Sequence, residues 1–311
     1  MSALLEMDNT YASRTALRKQ LLRTRPQDVL AHTPAIGPAV REFYTWITGT
    51  YLPRRFPTLY TLSGSGLRNH VLDETMPLAP ADTTQALTLL GEHIDTDFLF
   101  LLPIPPLSSP SSPSPDPDAG KYRLEGFITC FPSGFRTANK LGLKLADIHG
   151  PVPSYKERLE RSMDRFFAGL PVGRVVRRGN WSVTTTRELC LMGGTHLSAE
   201  EMAEVRERER GRGGEEKERE EGEDKEKIDI EDTVLRCERQ TLHRLPASGA
   251  LVFGYKTYQY EMAELREEGC GEEFAAAIEG LGKGNAPGMR LYKREVVWGD
   301  EVRRYMRGES W

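Results

Sequence analysis

The sequence predicts an α+β fold: an antiparallel five-stranded sheet with helices on one face, preceded by a helical extension. Three observations predict it. Runs with strand character lie at 97–103, 122–131, 174–186, 233–246 and 250–260. The first two and the last two can fold back as hairpins, the last pair through the tight turn Pro246-Ala-Ser-Gly249. Helical periodicity fills the interval between the second and third runs, so the order is strand, strand, helices, strand, strand, strand.

In chain order, residues 8–32 read as a helix, with Asn9 or Thr10 as cap and Leu17, Leu21, Leu22 and Val29 recurring at helical spacing. A second helix over 38–51 carries Val40, Phe43, Trp46 and Ile47 on one face. It ends at Tyr51-Leu-Pro-Arg-Arg-Phe-Pro57, whose arginine pair is either a solvated loop or a grip for an acidic group. Residues 60–90 read as loop and then a short helix from Thr83. The run 97–103 is continuously apolar, which suits a central strand. Residues 108–120 are rich in serine and proline and cannot bury a core, so they form an extended hairpin tip.

The run 122–131 alternates, with Leu124, Ile128 and Cys130 on one face and Glu125, Phe127 and Thr129 on the other. The turn Phe131-Pro-Ser-Gly-Phe135 leads into a helix over 140–148, and a strongly amphipathic helix follows over 155–170. Its stripe is Leu159, Met163, Phe166, Phe167 and Leu170. Residues 198–231 mix charges of both signs without aromatics and read as a solvated insert. The organisation expected is a helical extension over 1–95, a sheet domain over 96–262 with inserts at about 107–120 and 198–231, and a helical tail over 263–311. That element order is the one of a PAS-like fold, whose sheet and helices can enclose a flat cofactor.

Composition narrows the function classes. A net charge of −4 and a pI near 6.0 give no argument for nucleic acid or an anionic membrane surface. Cys130, Cys190, Cys237 and Cys270 are widely spaced and match no zinc or iron–sulfur pattern. They read as reduced thiols, which points to an intracellular, cytoplasmic compartment. There is no signal peptide and no membrane-spanning run. The abrupt start at Met1-Ser-Ala-Leu-Leu-Glu6 leaves room for an upstream membrane anchor that has been removed.

Two stretches carry candidate chemistry. In Lys144-Leu-Ala-Asp-Ile-His149-Gly-Pro-Val-Pro-Ser-Tyr155, glycine admits a left-handed exit and proline cannot continue a helix. His149 therefore sits at a helix end held by a stiff turn, either as a metal ligand or as a cap for helix carbonyls. His32, His70, His93, His196 and His243 have no comparable setting. In the strand over 234–246, alternation places Arg236, Glu238 and Gln240 on one face and Cys237, Arg239, Thr241 and His243 on the other. Neither face is ordinary core. The strand is either a salt-bridged edge or a central strand that touches a polar ligand.

The strings Cys130-Phe-Pro-Ser-Gly-Phe, Leu145-Ala-Asp-Ile-His-Gly-Pro-Val-Pro-Ser-Tyr, Asp164-Arg-Phe-Phe, Asn180-Trp-Ser and Leu235-Arg-Cys-Glu-Arg-Gln-Thr-Leu-His-Arg-Leu-Pro resemble the haem-dependent oxidative N-demethylase family. With the flanks at 49–57, Pro287-Gly288 and Val296-Val-Trp298, the resemblance covers nearly the whole chain apart from the two inserts. It implies a haem b (iron) in a PAS-like domain that oxidises a small secondary amine, dimethylamine, with O2. It implies His149 as the axial iron ligand, with Arg239 or Arg158 on the haem propionates. Glu238 would hold the cationic amine and assist proton movement, Arg236 would polarise O2, and Trp181, Phe131 and Phe135 would be apolar walls. The chain lacks flavin, nicotinamide and iron–sulfur motifs, so electrons are expected from a separate flavin/iron–sulfur reductase. The rival readings are a haem-based gas or redox sensor, a non-catalytic haem-binding protein, and a structural protein that keeps the fold and has lost the haem. No output domain accompanies the first of these.

Overall fold

The computed structural model describes residues 4–106, 117–211 and 228–309. Most of the serine/proline tip and the centre of the charged insert lie outside them. Nine strands occur among the described residues: β1 Leu30–His32, β2 Tyr60–Ser63, β3 Gly66–Asn69, β4 Glu74–Met76, β5 Asp97–Pro103, β6 Tyr122–Ile128, β7 Val175–Thr184, β8 Val234–Arg244 and β9 Leu251–Glu261. Six of them form one antiparallel sheet in the order β1-β6-β5-β9-β8-β7, so the α+β class holds.

Two features of the expected sheet need correction. The sheet has six strands, because Leu30–His32 leaves the first helical segment and pairs with β6. Gly126 makes that approach possible: a Cβ there would stand 3.0 Å from Ile36 Cγ2 and 3.2 Å from His32 Cβ. Helices also cover both faces. β5 is apolar on both sides, and each side has its own core. Phe98, Phe100, Ile128 and Val252 meet the helices Gly37–Trp46 and Thr83–His93 through Val40, Phe43, Leu87 and Leu90. Leu99, Phe127, Leu242 and Phe253 meet Leu145, Phe167 and Leu170 on the opposite face.

The alternation read along β6 is interrupted. Phe100 pairs with Gly126 and Leu101 with Leu124, so Glu125 is the extra residue of a bulge. The bulge brings Leu124 to the same core as Phe127. The buried Glu125 carboxylate is satisfied by Thr33 Oγ1 and Arg123 Nε, each at 2.5 Å. Arg18 and Asp97, both fully buried, form a further ion pair at 2.5 Å. Asp97 also accepts from the Cys130 and Phe131 amides at 2.8 Å, which pins the start of the Phe131–Phe135 turn to the sheet.

Residues 60–76, read as loop, form the three-stranded sheet β2-β3-β4. The charged insert begins as the helix Ala199–Gly211, with Ser198 and Glu201 in a reciprocal capping box. Met202 of that helix is buried against Leu291 and Tyr292. In the 155–170 stretch Phe167 and Leu170 close the core, whereas Leu159 and Phe166 stay exposed. No helix among the described residues is long and apolar enough to cross a membrane.

Candidate functional site

The expected helix over 140–148 is broken. Thr137–Lys140 is a 3-10 turn and Leu145–Ile148 a single α-turn. Between them Gly142, at φ +81°, donates to the Leu124 carbonyl at 2.8 Å, and Leu124 donates to that of Leu143 at 3.0 Å. Pairing with the edge of β6 therefore outcompetes helix propagation. His149 closes the second turn with φ −95° and ψ 3°. Val152 N–H donates to the His149 carbonyl at 2.9 Å and Tyr155 N–H to that of Val152 at 3.2 Å, so the Gly-Pro-Val-Pro segment folds as successive turns. The left-handed residue falls at Ser154 (φ 60°) and not at Gly150.

His149 Nδ1 lies 2.8 Å from the Leu145 carbonyl. A carbonyl only accepts, so Nδ1 carries the proton and Nε2 keeps its lone pair. The ring stacks on Tyr155 with centroids 4.8 Å apart and planes 13° apart. Burial holds the imidazole below its ordinary pKa, the Leu145 bond opposes this, and the charges of Lys140 and Arg178 push it down further. The Tyr155 hydroxyl is buried with no partner among the described residues.

A stack of rings stands nearby. Phe135 and His196 lie 4.7 Å apart and 21° from parallel, and His196 also meets Tyr292, 4.4 Å away and tilted by 37°. Gly134 sets this stack. Its φ is +76°, and a Cβ would fall 1.6 Å from Thr195 Oγ1 and 2.7 Å from His196 Nδ1. Burial pushes the His196 pKa down to about 3, with Lys293 and Lys140 adding repulsion. Lys140 Nζ is 3.5 Å from the Phe135 centroid. Lys293 Nζ is 4.6 Å from the Trp181 centroid and donates to the Trp181 carbonyl at 2.5 Å. Burial brings both lysines down to about 8.

Across β7 and β8, Arg178 is opposite Gln240 and Asn180 opposite Glu238. Arg178 Nε donates to Gln240 Oε1 at 2.5 Å. Gln240 Nε2 and Asn180 Nδ2 both donate to Glu238 Oε2, at 2.8 and 3.3 Å. The other oxygen, Oε1, accepts nothing among the described residues. Tyr255 and Thr257 reach the same face from β9, and the buried Thr257 Oγ1 is also without a partner. The result is a half-buried carboxylate with one oxygen clamped by amides and one free.

The remaining residues singled out from the sequence lie elsewhere. Arg236 shares the face of Glu238, but its fully buried guanidinium donates to the Phe131, Pro132, Leu189 and Glu188 carbonyls at 2.6, 3.2, 3.0 and 3.5 Å. Those bonds tie together the two segments that deliver Phe135 and His196. Arg239 points to the opposite face, where Nε pairs with Glu6 at 3.0 Å and Nη1 donates to the Leu4 carbonyl at 3.4 Å. Trp181 also shares that parity and meets Phe274 of the C-terminal helices, 5.8 Å away. Phe131 lies under Arg14 and Arg18 in the core of the N-terminal helices. Arg158 is exposed on the turn after Tyr155. His149, Phe135 and Glu238 are joined by four residues that sequence reasoning passed over: Lys140, Arg178, His196 and Lys293. Only Gly134 hinted at them, since a glycine inside an aromatic turn signals a close approach.

Among the described residues no group of three or more His, Cys, Asp or Glu side chains could hold a bare metal ion. What the corner offers is one oriented imidazole with a free Nε2. That donor set fits an iron that arrives with a macrocycle as its other ligand. A family model described as haem-dependent oxidative N-demethylase, alpha subunit-like matches residues 1–303. The chain belongs to that family. No curated protein matches it closely enough to add to the assignment. As a member of the haem-dependent oxidative N-demethylase, alpha subunit-like family it is tied to haem by the family's description.

Proposed function

We propose that this chain is the haem b component of a mono-oxygenase that removes a methyl group from a small secondary amine. O2 is the oxidant, and a separate flavin/iron–sulfur reductase supplies the electrons. The observation that carries the reading is the His149 tautomer: Nδ1–H is committed to the Leu145 carbonyl, so Nε2 is the nitrogen left for iron. The five long strands keep the chain order on which the PAS-like description rests, which supports that description for the sheet and its helical crossover. The widely spaced thiols support an intracellular setting.

Bound haem would supply the redox chemistry on O2, with one oxygen atom leaving in formaldehyde and the other in water as two electrons and two protons arrive. The chain's own residues bind and orient. Glu238 Oε1 takes an N–H of the ammonium form of the amine, while the amides of Asn180 and Gln240 hold Oε2 in place. The same carboxylate takes the proton that the amine must lose before oxidation. Phe135, Phe253 and Tyr255 supply apolar walls that suit methyl groups. Arg236 acts as a positioning residue through the Phe131–Phe135 turn.

The test is turnover. The haem-loaded protein, given dimethylamine, O2 and a chemical or enzymatic electron donor, should release formaldehyde in proportion to the O2 consumed. A protein that binds haem and O2 but releases no formaldehyde from any small methylamine would be a sensor or carrier.

A further inference from the structure

We propose that Lys140 and Lys293 form the receptor for the porphyrin carboxylates, an assignment that rests on the haem reading and replaces arginine with lysine in that role. The chain's treatment of another buried lysine sets the standard. Lys256 is 3% exposed and meets two carboxylates, Asp8 at 2.9 Å and Asp95 at 3.1 Å. Lys293 is 7% exposed and Lys140 half-buried, yet neither forms an ion pair among the described residues. Each ammonium instead rests on an aromatic face, Lys140 on Phe135 at 3.5 Å and Lys293 on Trp181 at 4.6 Å from the centroid. A ring face and one carbonyl are weak compensation for a desolvated cation.

Both ammonium groups flank one structure. Lys140 lies on Phe135, Phe135 stacks on His196, and His196 meets Tyr292, the residue before Lys293, at a tilt of 37°. The charges of both lysines reach His196, and that of Lys140 also reaches His149. Glu238 is the carboxylate whose charge reaches Lys293, and one carboxylate set against Lys140, Lys293 and Arg178 leaves the cations in excess. A buried site with an excess of cations beside a free imidazole nitrogen asks for a dianion that also carries a metal. Haem, with two propionates, is such a ligand. Arg239 is unsuited because its guanidinium is already paired to Glu6 at 3.0 Å.

The experiment compares haem with its dimethyl ester, in which both carboxylates are blocked. Each is titrated into the wild-type chain and into Lys140→Met and Lys293→Met, with Soret absorbance as the readout. The wild type should bind the diester roughly tenfold or more weakly than haem. Each methionine variant should weaken haem by a similar factor and leave the diester affinity unchanged. Equal affinity of the wild type for the two porphyrins overturns the assignment while leaving the haem reading intact, and this arm needs no variant to fold. Variants that weaken haem and diester alike also overturn it. A wild-type chain that develops no Soret band with either porphyrin overturns both.

Discussion

His149 donates its Nδ1–H to the carbonyl of Leu145, four residues earlier, across 2.8 Å. One bond thereby does two things. It adds a second donor to a carbonyl that already accepts the His149 backbone N–H at 3.1 Å, fixing the ring against the turn, and it selects the tautomer whose Nε2 can bind a metal. The capping and ligand readings of this histidine, which compete in the sequence, are compatible in the fold because they use different nitrogens.

Glu238→Gln keeps the shape and both amide neighbours of the side chain but removes its charge. Demethylation should fall about 100-fold in kcat/KM with the urea midpoint and the Soret maximum unchanged. Steady-state kinetics with dimethylamine measure this. Turnover at the parent rate would exclude Glu238 from holding the amine.

Gly134→Ala should destabilise the fold by roughly 3 kcal/mol, since a Cβ meets Thr195 Oγ1 at 1.6 Å on a backbone at φ +76°. Gly49→Ala is the control: it has helical backbone and nothing within 4 Å of the new Cβ, so it should be neutral or stabilising by about 0.5 kcal/mol. Urea unfolding of the pair checks the contrast. Two equal midpoints would mean that the Phe131–Phe135 turn yields freely.

Acid should destabilise the protein before its carboxylates titrate. Burial pushes His243 and His93 down to about 4 and His196 to about 3. The unfolded chain binds protons on these rings near pH 6.5 and the folded chain does not, so the unfolded state holds more protons between those values. Stability is therefore fully present above pH 6.5 and falls as pH drops, by up to about 1.4 kcal/mol per unit for each ring. His243 lies beside Phe43 and Trp46, and neither ring nitrogen has a partner among the described residues. His243→Leu should raise the urea midpoint at pH 5 more than at pH 7.5. An equal gain at both pH values would show that the ring does not titrate in this window.

The sheet core was readable because its signals are local. β5 is a continuous apolar run, β8 and β9 are long and joined by a short turn, and strand parity correctly groups Glu238 with Gln240. β1 and the β2-β3-β4 sheet were not readable, being three or four residues long with few apolar side chains. Nor was the break at Gly142, where the partner that stops the helix is the distant edge of β6. The site was half legible. His149 stands out through its own neighbours in sequence, but Lys140, His196 and Lys293 acquire meaning only when three separate segments converge. Parity places Arg239 and Trp181 on the face opposite Glu238, and knowing what covers each face required the tertiary structure.

The central claim is that His149 Nε2 is the protein's bond to haem iron. The most direct measurement is the absorption spectrum of haem bound to the wild type and to His149→Ala, in the ferric and ferrous–CO forms. The account predicts a sharp Soret band for the wild type. In the alanine variant it should be lost or strongly shifted, and added imidazole should restore it. An alanine variant that binds haem with the wild-type spectrum and affinity would contradict the account.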